Sequence, residues 1–435
     1  MSTPEHALAQ FVAETTYEDL PADAPETVTR AVVDTVGVTL AGAVEGAGAV
    51  AAEHDDIGED ADAATLLGLG TEDPERAALR VGTAAHALDY DDLSWALDGH
   101  PSVTLVPPLF ALADDHSGRE LVTAFAVGFE VECAVAGPIS PSHYEAGWHA
   151  TATFGTFGAA AAAASLLDFD AATAERALNA AASMPAGTKR NFGSMTKPLH
   201  AGLCARSGVT AALLAAEGLT TSTTAMSGDQ GFWDLYGPEP ASAFSFGDEW
   251  ALDTEGIHAK AYPCCYFTHT AIAATQALTD DIDPEAIDHI EVTAAGGAGD
   301  ALTYPDPETG LEAKFSMEHA VACAAARDRV DLAAFEADAL ADETVAGLRE
   351  RVAFSVDESL PYDSHEATVR VTTDDGTVER RQENPPGVHT NPLSPARRKR
   401  KFDDCARRAV EPPEADRLYD MFTDLTAVDD IGSVV

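Results

Sequence analysis

The densest group of residues able to do chemistry is His86-Ala-Leu-Asp89-Tyr-Asp91-Asp92, followed by His100-Pro101-Ser102. Histidine ordinarily titrates near neutrality, so a histidine beside a carboxylate is standard equipment for moving a proton. On an acid–base reading, one carboxylate orients a histidine or a substrate hydroxyl. A metal reading takes the same histidines and aspartates as ligands, but HxxDxDD has no recognised zinc spacing and the second histidine is remote. The plain alternative is helix capping with a solvated acidic face.

Three further segments carry reactive side chains. His149, in GWHATATFG, stands just before an Ala-rich run, where the free amides of a helix start suit an anionic substrate; a structural histidine is the plain alternative. GTKRNFGSMTKPLHAG gathers Lys189, Arg190, Asn191, Lys197 and His200 among glycines, in a chain with only six lysines. Cationic loops of this kind clamp carboxylates. KAYPCCYFTH gathers Lys260, Cys264, Cys265 and His269, with Cys265 readable either as a site thiol or as a small buried hydrophobe. No GxGxxG follows a strand, and there is no GxxxxGK[ST], HExxH or GxSxG, so nucleotide and serine-hydrolase chemistry lose support.

Helical patterning must position most of these groups. Residues 5–45 read as two helices around Pro21 and Pro25, and residues 75–87 as a helix that runs into the His86 cluster. Further helices are predicted over 103–113, 119–136, from about 153, over 171–184 and from about His200, with Lys197 in the loop before the last. After about residue 277, IDHIEVTA, RVAFSV, EATVRVTT and TVERR read as strands, with helices at 318–326 and 331–350 between them. The predicted fold is mainly α with an α+β second domain: a helical domain over 1–270, completed by about 396–435, and an α+β lid over 271–395.

Composition narrows the partners. With 73 Asp and Glu against 26 Lys and Arg, the formal net charge is −47, which repels nucleic acid and anionic lipid. The acids are spread along the chain and the apolar share is 46%, as expected for a solvated surface over real cores, and a salt-rich cytoplasm would explain it. The six scattered cysteines form no disulfide framework or CxxC knuckle. The N-terminus lacks a signal-peptide pattern and no apolar run approaches roughly 20 residues, so a cytoplasmic protein with no membrane role is expected.

At these residues the chain resembles the MmgE/PrpD family, which includes 2-methylcitrate dehydratase, cis-aconitate decarboxylase and an iminodisuccinate epimerase. The resemblance rests on LAQFVAETTYEDLP, AVVDTVGVTLAGA, HALDYDD, GHPS, GWHATATFGTFGAAAAAA, NFGSMTKPLHAG, GDQGFWDLYG, KAYPCCYFTH and EAKFSMEHA, in that order along nearly the whole chain. It implies a helical domain formed by both ends of the chain, a smaller α+β lid, a homodimer, and neither metal nor cofactor. It also implies site positions at Asp89, His100, His149, Lys197 and Lys260. Leu93 stands where the decarboxylase-type motif has threonine, and Cys265 where that type has a histidine five residues beyond the lysine, which weighs against decarboxylation. YPCC also departs from the YP-acid pattern of the methylcitrate dehydratases.

The expected activity is a metal-independent hydro-lyase acting on a small di- or tricarboxylate such as 2-methylcitrate or a citrate-like acid. His149 and His100 would form the acid–base pair, Asp89 would orient one of them, and Lys197, Lys260 and Arg190 would offset developing negative charge. Arg190, Cys265 and His200 would bind substrate. Alternatives are an epimerase or isomerase of a related dicarboxylate, a metallohydrolase built on His86, Asp89 and Asp92, and a non-catalytic dimeric carboxylate-binding protein.

Overall fold

Apolar residues at three- and four-residue intervals build helices through most of the chain, and many of these start at residues suited to cap them. The computed structural model describes residues 3–58, 60–247 and 249–432. In α1 (Pro4–Glu14) the Thr3 hydroxyl accepts from the His6 amide, and α2 (Ala24–Ala43) follows. α3 (Pro74–His86) is capped by Asp73, and Pro74 fills a first-turn position whose amide would need no helical partner. α4 (Ser102–Ala111) leads to α5 (Gly118–Ala136), whose Ser117 and Glu120 form a reciprocal capping box. α6 (Ala150–Leu166), α7 (Ala171–Ala181) and α8 (Thr196–Ala216) complete the run. α7 is capped by Asp170, whereas α6 and α8 begin without a capping side chain, at His149 and Met195.

The chain then builds α9 (His269–Thr279), β1 (Ile287–Ala294), α10 (Met317–Ala326), β2 (Val352–Val356), β3 (Ala367–Thr373) and β4 (Gly376–Gln382). The strands form one mixed sheet in the order β2-β1-β3-β4, with β1 and β2 parallel and the other pairs antiparallel. Ile290 and Val292 of β1, with Val369 and Val371 of β3, are buried. α9 packs on β3 and β4, and α10 on β2. Two last helices, α11 (Pro395–Ala406) and α12 (Pro412–Thr423), pack on α2.

The expected fold class is what the molecule has: a large helical unit and a smaller α+β unit. The first comprises Met1–Ala259 and Ser394–Val435, and the second Lys260–Leu393. The division falls after Ala259 rather than near residue 270, because the segment before α9 is tied to the second unit, the Cys265 amide donating to the Lys314 carbonyl. The helix expected over 331–350 is broken into Leu332–Phe335, Ala337–Leu340 and Glu343–Arg349, since Glu336 and Asp342 take extended backbone and restart the chain.

In the first unit α5 and α6 lie side by side, with Phe125, Phe129, Phe154 and Phe157 fully buried. Every residue of α6 except Ser165 is buried, as its run of alanines and glycines requires. Among the described residues α8 is the one helix long and apolar enough by itself to span a membrane, contrary to the expectation that no apolar run reached that length. It packs against α3, α6 and α7, and 56% of its most apolar window is buried.

Candidate active site

Small residues bring two site-bearing helices together. A Cβ on Gly202 of α8 would lie 2.1 Å from the Leu79 carbonyl oxygen of α3, and one on Gly82 would lie 2.9 Å from the Gly202 Cα. Only glycine permits this approach. It sets the end of α3, with His86, beside the first turns of α8, with Lys197 and His200. Lys197 therefore sits on a helix, not in the loop expected from sequence.

Beyond α3 the chain turns sharply. Asp89 has φ +54°, a left-handed conformation that aspartate tolerates better than most residues. Its Oδ1 takes the Lys197 ammonium, with both side chains under a tenth exposed. From behind, Lys401 of α11 donates to the Tyr90 carbonyl at 2.7 Å and to Asp34 of α2 at 2.8 Å. Leu93 exchanges backbone hydrogen bonds with His258, which fastens the far end of the turn.

Asp91 is buried at the centre. Its Oδ2 lies 2.8 Å from His86 Nδ1 and 3.0 Å from His100 Nδ1. His100 Nδ1 also lies 2.6 Å from the Asp92 carbonyl. Both neighbours of that nitrogen are acceptors, so Nδ1 carries the proton and Nε2 keeps its lone pair. The same logic gives His86 an Nδ1–H and a bare Nε2, and that Nε2 has no hydrogen-bond partner. Asp92 turns away to accept from the Ser102 hydroxyl at 2.5 Å and the Ser102 amide at 3.2 Å.

His149 closes the group. Its ring stacks on His86 at 5.7 Å, its Nδ1 lies 3.1 Å from His200 Nδ1, and Phe192 meets it edge-on at 5.1 Å. It stands at the start of α6, where unpaired amides and the helix dipole favour an anion. Phe192 also faces Lys197, whose ammonium is 5.4 Å from the ring centre.

Burial governs the protonation states. It pulls His86 down to about 3 and holds His149 well below its ordinary value, helped in both by nearby positive charge that includes Lys197. His200 is lowered by burial and then by Lys197. Burial pushes the Asp91 carboxyl upward, but the two histidines outweigh it and leave it ionised, well below the usual range. Burial pushes Asp92 up to about 8. The result is that His86, His149 and His200 are neutral imidazoles near the Asp91 carboxylate.

Of the residues singled out from sequence, Asp89, His100, His149, Lys197 and His200 come together in the first unit. The left-handed turn brings Asp89 to Lys197, and the carboxylate that faces the His86 and His100 rings is Asp91. Arg190 is exposed, in the turn Lys189–Asn191, and has no polar contact with this group. Lys260 and Cys265 are buried in the second unit, where the Cys265 amide donates to the Lys314 carbonyl at 2.9 Å. Three residues were missed. His86 and Asp91 were visible in HALDYDD, but His86 entered only the metallohydrolase alternative and Asp91 had no role of its own, and Phe192 offered no signal beyond its place between Arg190 and Lys197.

His86, Asp89 and His100 present ligand-type atoms within 4.8 Å of one another. The Asp89 carboxylate already holds an ammonium, and both Nδ1 atoms face Asp91. A metal ion here would have to displace Lys197 or sit against its charge, so these residues fit an internal ion-pair network better than a metal site.

The model of the MmgE/PrpD N-terminal domain matches residues 6–244, and that of the C-terminal domain residues 262–426. The chain belongs to the MmgE/PrpD family. Its relatives include a cis-aconitate decarboxylase of Mus musculus, 30% identical over 328 residues, which covers 70% of this chain and 66% of that protein. A cis-aconitate decarboxylase of Homo sapiens is 29% identical over 316 residues, covering 68% and 64%. One from Aspergillus terreus is 24% identical over 410 residues, covering 86% and 83%. The chain thus spans just under two thirds of the length of the two mammalian relatives. In this MmgE/PrpD chain the histidine cluster, Asp89 and Lys197 all fall within the N-terminal family domain.

Proposed function

We propose that this chain is a lyase that acts on a small tricarboxylic acid by proton transfer at a carbon next to a carboxylate, with dehydration of a citrate-like acid such as 2-methylcitrate as the leading reaction. The observation that carries this reading is the gathering of His86, His100, His149 and His200 around the buried Lys197–Asp89 pair. Neutral imidazoles can accept a carbon-bound proton. The Lys197 ammonium and the amides that start α6 stabilise the enolate-like charge left behind. A bound polycarboxylate would also favour the imidazolium form, offsetting the effect of burial.

His149 and His100 share the work on this reading. One takes the proton from carbon; the other, protonated, gives its proton to the departing hydroxyl, which leaves as water. The cis-aconitate decarboxylase names of the relatives support a tricarboxylate substrate, and they make decarboxylation the second reading. Leu93, buried and apolar where the decarboxylase-type motif has a hydroxyl, keeps dehydration in front. An iminodisuccinate-type epimerase would use the same parts, with the proton returned on the opposite face.

The test is to incubate the purified protein in molar KCl with citrate, 2-methylcitrate, cis-aconitate, 2-methyl-cis-aconitate and iminodisuccinate, and to identify products by proton NMR. Loss or addition of water on a tricarboxylate is expected. Release of carbon dioxide would establish the second reading. No turnover of any of them by folded protein would leave a carboxylate-binding protein as the better account.

A further inference from the structure

Asp91 joins two imidazoles that no motif pairs. His86 and Asp91 are fully buried, while the His100 side chain keeps 14% of its surface exposed. One oxygen, Oδ2, faces both Nδ1 atoms, and the rings of His86 and His100 lie 4.7 Å apart. Oδ1 has no hydrogen-bond partner, and neither does His86 Nε2. Fully buried Glu132 also leaves one oxygen without a partner, but its other oxygen meets a hydroxyl. Asp91 instead spends a single oxygen on two groups that can change charge.

We propose that His86, Asp91 and His100 work as one bridged unit, in which Asp91 fixes the tautomer of both imidazoles and His86 sets how much negative charge Asp91 presents to His100. His86 and Asp91 are then positioning residues that act through His100, the one member with access to solvent. The proposal deepens the proton-transfer reading and takes its purpose from it, but its geometry stands without a substrate. Other charged or titratable groups face the unit from four helices and from its own loop. They are Lys197 from α8, His149 at the start of α6, Asp34 of α2 with Lys401 of α11, and Asp89 and Asp92 on either side. None of them touches His100 Nδ1 through a side chain, so Asp91 is the direct counter-charge for a proton on His100.

Two substitutions should move His100 in opposite directions. Asp91→Asn removes the counter-charge, so the titration midpoint of His100 should fall by about one pH unit or more. His86→Phe removes the donor that disperses the Asp91 charge, so the midpoint should rise. A merely structural role predicts lost stability with no such opposition. The measurement is nitrogen-15 NMR of the histidine rings in substrate-free full-length protein in molar KCl, with His100 identified by the signal lost in His100→Gln. The wild type alone provides a reading if a variant does not fold: His86 and neutral His100 should both show Nδ1–H and bare Nε2.

An Nε2–H tautomer at His86, or a His100 midpoint unmoved by Asp91→Asn, overturns the proposal. Opposite shifts together with the Nδ1–H tautomers uphold it, whether or not any tricarboxylate is turned over. Turnover is scored separately, as the pH profile of kcat/KM, whose acid limb should follow His100 in both variants.

Discussion

Glu5 and Asp91 are both carboxylates with no exposed surface in the helical unit, and their surroundings differ. Glu5 accepts from the amides of Met226 and Ser227 and from the Ser227 hydroxyl, at 2.8–3.0 Å. Glu130 likewise accepts from the amides of Ala251 and Leu252. Such donors cannot change charge, and through them these carboxylates tie loops to helices. Asp91 is held by two imidazoles instead, and leaves an oxygen unpartnered. Burial saturated with backbone donors builds the fold; burial held by titratable donors keeps protons mobile where a reaction needs them.

Substitutions on the two sides should therefore differ in kind. The largest effect is expected for Lys197→Ala, which removes the ammonium that meets Asp89. Turnover of the tricarboxylate should fall on the order of 10²–10³-fold, measured as kcat on folded protein. His149→Ala should cost at least ~100-fold, and turnover near that of the wild type would remove His149 from proton transfer. Glu5→Ala should instead leave kcat alone and cost about 1–3 kcal/mol of stability in denaturant unfolding, because it strands buried amides. Lost turnover without lost stability there would break the comparison.

The sequence made much of this legible. Helices α1 to α7 and all four strands lie within a few residues of where period and capping residues put them, and the spacing of HALDYDD and GHPS marked the cluster. What stayed hidden was decided by a turn. In a run of three acids over four residues, the left-handed backbone at Asp89 determines which acid meets which histidine, and composition carries no sign of it. The expected orienting role thus fell to Asp91, and Asp89 met Lys197. Lys197 itself was expected in the loop before a helix starting near His200; the helix starts at Thr196 instead, and the missing amide of Pro198 costs nothing within its first turn.

A smaller effect separates Asp92 from its neighbour. Burial pushes Asp92 up to about 8, so the folded chain holds its proton more tightly than the unfolded chain does. The stability this gives is fully present below the ordinary value of 3.8 and is lost as pH rises through 8. Asp92→Asn should flatten the decline of Tm between about pH 4 and 8. An undiminished decline in the variant would mean that Asp92 is ionised in the fold and belongs with Asp91.

The most direct test of the central claim is to feed the wild type an unsaturated tricarboxylate such as cis-aconitate or 2-methyl-cis-aconitate in deuterated water and to read the product by NMR. Proton transfer run by this cluster predicts one solvent deuterium at a carbon next to a carboxylate, and little product from His149→Ala. Product formed at full rate with no deuterium at that carbon, or formed equally well by His149→Ala, would contradict the account.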